Sequence, residues 1–260
     1  MKISISYPPL KGAGVPLLGQ NRQFQWFRNP TYIYPMVPAS AATLLKREGF
    51  DVLWDDAIAE GMTFDQWLTR IKREKPDLIA IETKTPVVKR HWGIINTIKA
   101  AACELSWEPR VVLMGDHVTA MPEESLNNSL VDFVIAGGDY DFLLLSLCKA
   151  LSSKADIPAL EPGIWQKKGH RAVNSAGKRV KHDLDSLPFI DRDLTRWQLY
   201  SERNGNFKRR PGAYTMAGRD CWWGRCSFCS WTTMYPGKDF RSVAPERLLD
   251  EVGMLIDRYG

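Results

Sequence analysis

The sequence predicts an α/β protein whose first 150 residues form an open, mostly parallel sheet. Three observations point there. Short and nearly continuous apolar runs recur along this half, as strands buried on both faces require. The segments between them repeat their apolar residues with the period of a helix packed on one side. The strict alternation of the two kinds then implies right-handed crossovers between parallel strands.

In chain order, Lys2–Ser6 is the first strand. Ala41, Leu44 and Leu45 mark a helix that Gly49 closes. Asp51–Trp54 is the second strand. Phe64, Trp67, Leu68 and Ile71 follow the i, i+3, i+4, i+7 pattern behind Thr63, whose hydroxyl suits an N-cap. Asp77–Glu82 is the third strand, and Val88, Trp92, Ile95, Ile98 and Ala102 line the face of the next helix. Arg110–Met114 and Asp132–Ala136 complete the strands, and Tyr140–Leu151 is the last helix of this half.

Residues 151–212 are rich in Lys, Pro, Gly and Ser and read as a packed linker. A short hairpin is expected around Gly163–Gln166 and Ala172–Val173, then an acidic, Pro-broken crossing segment over Asp183–Asp193. From residue 213 onward, Ala213–Ala217 reads as a strand before a cysteine-bearing loop. Pro245 opens an amphipathic helix with Leu248, Leu249, Val252, Leu255 and Ile256 on one face.

Composition narrows the class. Of 260 residues, 44% are hydrophobic and 25% charged, which excludes disorder and collagen-like repeats. No apolar run approaches the roughly 20 residues of a bilayer span, and the N-terminus has no signal-peptide core, so a soluble cytoplasmic protein is expected. The net charge of +5 is mild. Its basic clusters (Lys167, Lys168, Arg171, Lys178, Arg179 and Lys181, then Lys208–Arg210) fit solvated loops better than a nucleic-acid groove.

In an open α/β sheet, ligands bind beyond the carboxyl ends of the strands. Those ends carry Tyr7-Pro8-Pro9 with Gly12, Gly14 and Gly19, then Thr83-Lys84-Thr85, Gly115-Asp116-His117-Val118-Thr119, and Gly137-Gly138-Asp139-Tyr140. Small and hydroxyl-bearing residues at successive strand ends would give a large flat ligand a shallow floor. Each glycine on its own is better explained as a turn from strand into helix. No GxGxxG follows the first strand, so the usual dinucleotide site is not supported.

The sharpest chemical signal is Cys221-Trp-Trp-Gly-Arg-Cys226-Ser-Phe-Cys229. Five cysteines with three inside nine residues do not read as a disulfide framework. Three thiolates on one loop suit three corners of an iron–sulfur cube, or a zinc ion that finds a fourth ligand. His91, His117, His170 and His182 are candidate fourth ligands, although none has finger-like spacing. Cys103 and Cys148 fall on helical apolar patterns and read as inert core cysteines.

This loop resembles that of the radical S-adenosylmethionine (SAM) superfamily, whose CxxxCxxC motif follows the first strand of a partial TIM barrel. Upstream, Gly115–Glu124, Val131–Gly138 and Leu184–Asp193 are similar to the cobalamin-binding half of cobalamin-dependent radical SAM enzymes. The resemblance implies a Rossmann-like cobalamin-binding domain over 1–150, a linker over 151–212, and the first βα unit of an incomplete barrel over 213–260. It implies three cofactors: a 4Fe–4S cluster on Cys221, Cys226 and Cys229, SAM chelated at the open iron, and cobalamin. Phe228 would lie by the adenine. Thr83, Thr85, Gly115, His117, Val118, Thr119, Gly137 and Gly138 would border cobalamin. The implied activity is methylation of an unactivated carbon in a small-molecule or peptide substrate, through a 5′-deoxyadenosyl radical and methylcobalamin. An external electron donor such as flavodoxin or ferredoxin would supply the reducing electron, with no membrane or nucleic-acid partner.

Three departures qualify the resemblance. Four residues, Trp222 to Arg225, separate the first two cysteines where the superfamily norm is three. The DxHxxG motif that donates a histidine to cobalt is absent, so cobalamin without a protein histidine is implied, and His117 is expected to structure its loop. The sequence also ends at Gly260 after one βα unit, where a full barrel takes about 250 residues. An N-terminal part of a longer enzyme, or a truncated gene, is therefore expected, one that is not catalytically complete unless another chain completes the barrel. Two rivals are a radical SAM cyclase or rearrangement enzyme, with or without cobalamin, and a zinc-stabilised RNA-binding module using Trp222 and Trp223 to stack bases.

Overall fold

A computed structural model of the chain describes residues 1–19, 24–153, 160–175, 181–235 and 240–260. The basic residues Lys178 and Arg179 lie outside these. The elements are β1 (Lys2–Tyr7), β2 (Val15–Pro16), β3 (Trp26–Phe27), α1 (Met36–Arg47), β4 (Asp51–Asp56), α2 (Phe64–Glu74), β5 (Leu78–Thr83) and α3 (Val88–Glu104). There follow β6 (Arg110–Gly115), α4 (Asp116–Ala120), α5 (Pro122–Asn128), β7 (Phe133–Ile135), α6 (Tyr140–Ser152), β8 (Ile164–Lys168) and β9 (Arg171–Asn174). The last are α7 (Gln198–Ser201), β10 (Gly218–Arg219), α8 (Trp231–Met234), β11 (Arg241–Ser242) and α9 (Pro245–Tyr259).

Seven strands form one sheet in the order β4-β1-β5-β6-β7-β8-β9, the first five parallel. Alternate residues of the central strands feed two cores. Ile3, Ile5, Ala80, Val112 and Met114 pack beneath α1 and α6, against Ala41, Leu45, Leu143 and Leu147. Ile79, Ile81, Val111, Leu113 and Val134 face Trp67 and Ile71 of α2 and Ile95 and Ile98 of α3. Burial on both faces is why these strands read as unbroken apolar runs. The start of α2 follows from its sequence. Thr63 Oγ1 accepts from the Gln66 backbone N–H, and the Thr63 N–H donates to Gln66 Oε1 at 2.9 Å, closing a capping box.

The structure differs from the sequence reading in four places. The hairpin β8–β9 is not part of a linker: β8 pairs antiparallel with β7 and extends the sheet. Ile164, wholly buried, anchors it, and the pairing satisfies an edge that β7 would otherwise leave open. Between the strands at Arg110–Met114 and Asp132–Ala136, where the sequence reading assigned no element, the chain forms α4 and α5. Ala213–Ala217 forms no ladder among the described residues. Only Gly218 and Arg219 pair, antiparallel with β11, while Tyr214 and Met216 pack against the main core. Cys103, expected in the core, is exposed; Cys148 is buried.

The crossing segment lies over α1. Asp191 takes Lys46 Nζ at 2.7 Å, and its backbone N–H donates to Thr43 Oγ1 at 2.9 Å. Further on, Tyr200 in α7 donates to Asp56 at 2.6 Å and so closes the end of β4. The final helix, α9, is tied to this segment by Arg192–Glu251 at 3.2 Å, while Leu249, Val252 and Ile256 face solvent. Among the described residues no helix is long and apolar enough to cross a membrane.

Candidate functional site

The five parallel strands run in the order second-first-third-fourth-fifth, so the chain leaves β1 and β5 toward opposite faces. That reversal is the switch point of a doubly wound sheet, and such sheets place ligands in the crevice beyond the carboxyl ends of the strands there. Beneath it sits Glu82, wholly buried. Tyr7 donates to one of its oxygens at 2.5 Å and Tyr140 to the other at 2.7 Å. Burial pushes the Glu82 carboxyl up to about 7, against the pull of those two hydrogen bonds and of the Lys84 charge. Lys84, almost wholly buried, pairs with Asp116 across the ends of β5 and β6 at 3.1 Å.

The residues expected to border a ligand fall into two groups. Thr85 is exposed at the mouth, and its hydroxyl meets His117 Nδ1 at 3.2 Å. The other nitrogen of His117 lies 2.9 Å from Glu124 Oε2 but off the hydrogen-bonding axis. His117 is thus engaged by two neighbouring elements, α5 and the turn after β5. Thr119 donates to the Gly115 carbonyl at 2.6 Å and accepts from the Gly137 N–H at 2.9 Å, knitting the ends of β6 and β7 together. Gly115, at φ 121°, lies so close to the Thr83 carbonyl that a Cβ would collide with it.

The second group is turned away from the crevice. Thr83 is wholly buried and bonds His91 Nδ1 at 2.7 Å. Val118 is wholly buried in the core on the α2–α3 face, because α4 is a helix that turns it inward. Gly138 is covered by the Tyr235 ring, which would overlap any Cβ there, and the Tyr235 hydroxyl donates to the Gly138 carbonyl at 3.0 Å. Neither side chain, nor the face of Gly138 under that ring, is open to a ligand from the strand ends.

The cysteine loop comes down beside this crevice, with α8 packed on α4. Cys221, Cys226 and Cys229 are partly exposed free thiols. The Cys229 N–H returns to the Cys226 carbonyl at 3.2 Å, so the last two form a tight turn. Gly224, left-handed at φ 54°, sits inside the four-residue gap and turns the chain there. Phe228 is 74% exposed, and Trp222 and Trp223 stand edge to face on the surface. Among the described residues no three His, Cys, Asp or Glu side chains converge on one point, as a single zinc ion needs. An iron–sulfur cube makes a different demand, because each thiolate binds a different iron. Three soft thiolates on one open loop fit that donor set.

What the sequence reading missed is the clamp holding this loop. Arg219 is buried and grips Asp141 with two bonds, at 2.9 and 2.6 Å, and touches Asp139 at 3.1 Å. Arg241 reaches the same Asp139 at 2.8 and 2.9 Å and holds Asp220 at 2.6 Å. His182 adds contacts to Asp139 at 3.3 Å and Glu161 at 2.6 Å and stacks on Phe142. Burial alone would raise the Asp139 carboxyl, but hydrogen bonds from His182 and Arg241 and the Arg219 charge hold it well below the usual carboxylate range. Burial would likewise lower His182, yet Asp139 and Glu161 lift it to about 9. The available signal was an arginine two residues before the first cysteine and two aspartates opening α6, where a helix dipole favours negative charge.

No protein-family model matches the chain. Among curated proteins it is 25% identical to an uncharacterized methyltransferase of Pyrococcus horikoshii, over all of this chain and 51% of that protein. It is 27% identical, over 83% of the chain and 34% of the relative, to an anaerobic magnesium-protoporphyrin IX monomethyl ester cyclase of Cereibacter sphaeroides. The chain thus spans about half or less of the relatives it matches. Among solved structures, the radical SAM methyltransferase TsrM of Kitasatospora setae, with tryptophan substrate and a SAM analogue bound, superposes with a TM-score of 0.64 at 18% identity. That match covers 99% of this chain and 46% of TsrM. TsrM has also been solved with cobalamin and a 4Fe–4S cluster bound, and this form matches with a TM-score of 0.62 at 20% identity over 87% of the chain and 44% of TsrM. The cobalamin-dependent radical SAM enzyme OxsB matches with a TM-score of 0.66 at 15% identity over 85% of the chain and 29% of OxsB. The α/β fold with its mostly parallel seven-stranded sheet is the fold of these cobalamin-dependent radical SAM enzymes.

Proposed function

We propose that the chain is the cobalamin-binding and cluster-bearing part of a radical SAM methyltransferase acting on an unactivated carbon. The observation that carries this reading is one juxtaposition: the cysteine loop is clamped beside the ligand crevice of a 2-1-3-4-5 sheet. In the proposed enzyme a 4Fe–4S cluster would supply the electron that cleaves SAM to a 5′-deoxyadenosyl radical, and methylcobalamin would supply the methyl group. Cys221, Cys226 and Cys229 would hold the cluster, with Phe228 exposed beside the third cysteine to cover adenine. Thr85, His117 and the glycine backbone at Gly115 and Gly137 would border the corrin. His117, engaged by Thr85 and Glu124, orders the rim of the crevice.

Radical-mediated cyclisation is the second reading, favoured by the cyclase relatives. Anaerobic iron, sulfide, zinc and cobalt analysis after reconstitution with iron, sulfide and hydroxocobalamin tests the shared core. About four irons and four sulfides with one cobalt support it; zinc alone, with no corrin band, refutes it and leaves the zinc-stabilised module. Mass analysis of a product made with methyl-labelled SAM then separates methylation from cyclisation.

A further inference from the structure

We infer that Arg219, Asp139 and Asp141 are positioning residues. Their network sets where the cysteine loop stands over the strand ends, and with it the separation of cluster and corrin; this rests on the function proposed above. The network brackets the loop from both sides. Arg219 precedes Cys221 and Arg241 follows Cys229, and both converge on Asp139, directly after the two glycines in the turn that follows β7. Bidentate pairing fixes orientation as well as distance, because two parallel N–H···O bonds allow no rotation of the guanidinium about the carboxylate.

The β10–β11 ladder supports the same conclusion. Arg219 and Arg241 are register partners on this two-residue ladder. Like charges directly opposite one another destabilise a strand pair, so the ladder depends on the carboxylates of Asp139, Asp141 and Asp220 between and beside the two guanidinium groups. Two of these three carboxylates, Asp139 and Asp141, belong to the amino end of α6, so docking there favours closure of the loop's base. Buried ion pairs contribute little net stability compared with apolar packing, and their best-attested use is to select one arrangement among several. Here the arrangement selected is that of one thiolate loop on one sheet end.

Two measurements on Arg219→Lys and Asp141→Asn test this. Arg219→Lys keeps the charge and loses the fork. The first measurement is hydrogen exchange of the protein without cofactors. Residues 218–235 should exchange at least about tenfold faster in each single variant, a factor equal to about 1.4 kcal/mol of local opening, while β5 and β6 are unchanged. Equal acceleration throughout, or none, overturns the proposal. The second is electron paramagnetic resonance of protein loaded with iron, sulfide and cobalamin, with the cluster reduced and cobalt as Co(II). The dipolar coupling between the two spins should be sharp in the parent and broadened in both single variants. A coupling unchanged in the single variants overturns the proposal. A parent that takes up neither cluster nor corrin refutes the functional reading instead, and the exchange result still decides whether the network places the loop.

Discussion

Replacing Glu82 by glutamine should remove a specific part of the protein's pH dependence. The carboxyl lies beneath the crevice with both oxygens filled by tyrosine hydroxyls, and burial pushes it from an ordinary 4.5 up to about 7. At about 1.4 kcal/mol per pH unit, that displacement corresponds to roughly 3 kcal/mol. The sign follows from where the proton is held. A carboxyl raised in the folded state contributes its stability fully below pH 4.5, and loses it as pH rises through about 7, because the unfolded chain gives up the proton first. Glutamine has nearly the same shape, accepts from one tyrosine, can donate to the other, and carries no charge at any pH. Urea unfolding of both proteins between about pH 5 and about pH 8 should therefore show the variant gaining about 2.5 kcal/mol on the parent across that interval, the first part of the loss lying below pH 5. Asp56, raised by burial to about 6, titrates in both proteins and cancels in the difference. Parallel profiles would refute the reasoning: Glu82 would then be ionised when buried, or hydrated.

Other outcomes follow from the same geometry. Alanine at Cys221, Cys226 or Cys229 should abolish retention of reconstituted iron and sulfide while leaving corrin uptake intact, read from metal analysis and the visible spectrum. His91 is wholly buried, and burial lowers its imidazole to about 3, so it should stay neutral in nitrogen NMR spectra down to about pH 4. Its contribution to stability is present above pH 6.5 and lost as pH falls through about 3; a ring that titrates near 6.5 would contradict this. Gly138→Ala should cost about 1–3 kcal/mol by driving a methyl into the Tyr235 ring. The cost should vanish in a Tyr235→Ala background, so additive losses in thermal unfolding would rule the contact out. Gly115→Ala combines a left-handed φ with a collision against the Thr83 backbone, which cannot swing aside. It should lower the melting temperature and cost at least about 1–3 kcal/mol.

The parts of the fold legible in the sequence are those that local periodicity encodes. Leu78–Ile81 is apolar because both faces of its strand are covered, and Phe64–Glu74 shows its helix by spacing and by its Thr63–Gln66 box. The cysteine loop was legible for a similar reason, since its chemistry lies within nine residues. The hairpin at Ile164–Asn174 was visible as a hairpin but not as a sheet edge, because its partner is β7, whose own strand is three residues long. Ala213–Ala217 shows the converse: alternation marks a residue pattern, and a strand also needs a neighbour to bond.

The sequence by itself determined the α/β class, the five parallel strands and the presence of three thiolates on one loop, because each is written in residues close together along the chain. The tertiary structure decided how these parts meet. It turned Thr83 and Val118 into the core, closed Gly138 under Tyr235, and joined Arg219 and Arg241 to aspartates about 80 and 100 residues away. A guanidinium pairs with whichever carboxylate the fold brings within 3 Å or so and desolvates with it, and nothing in the local sequence of either partner names the other.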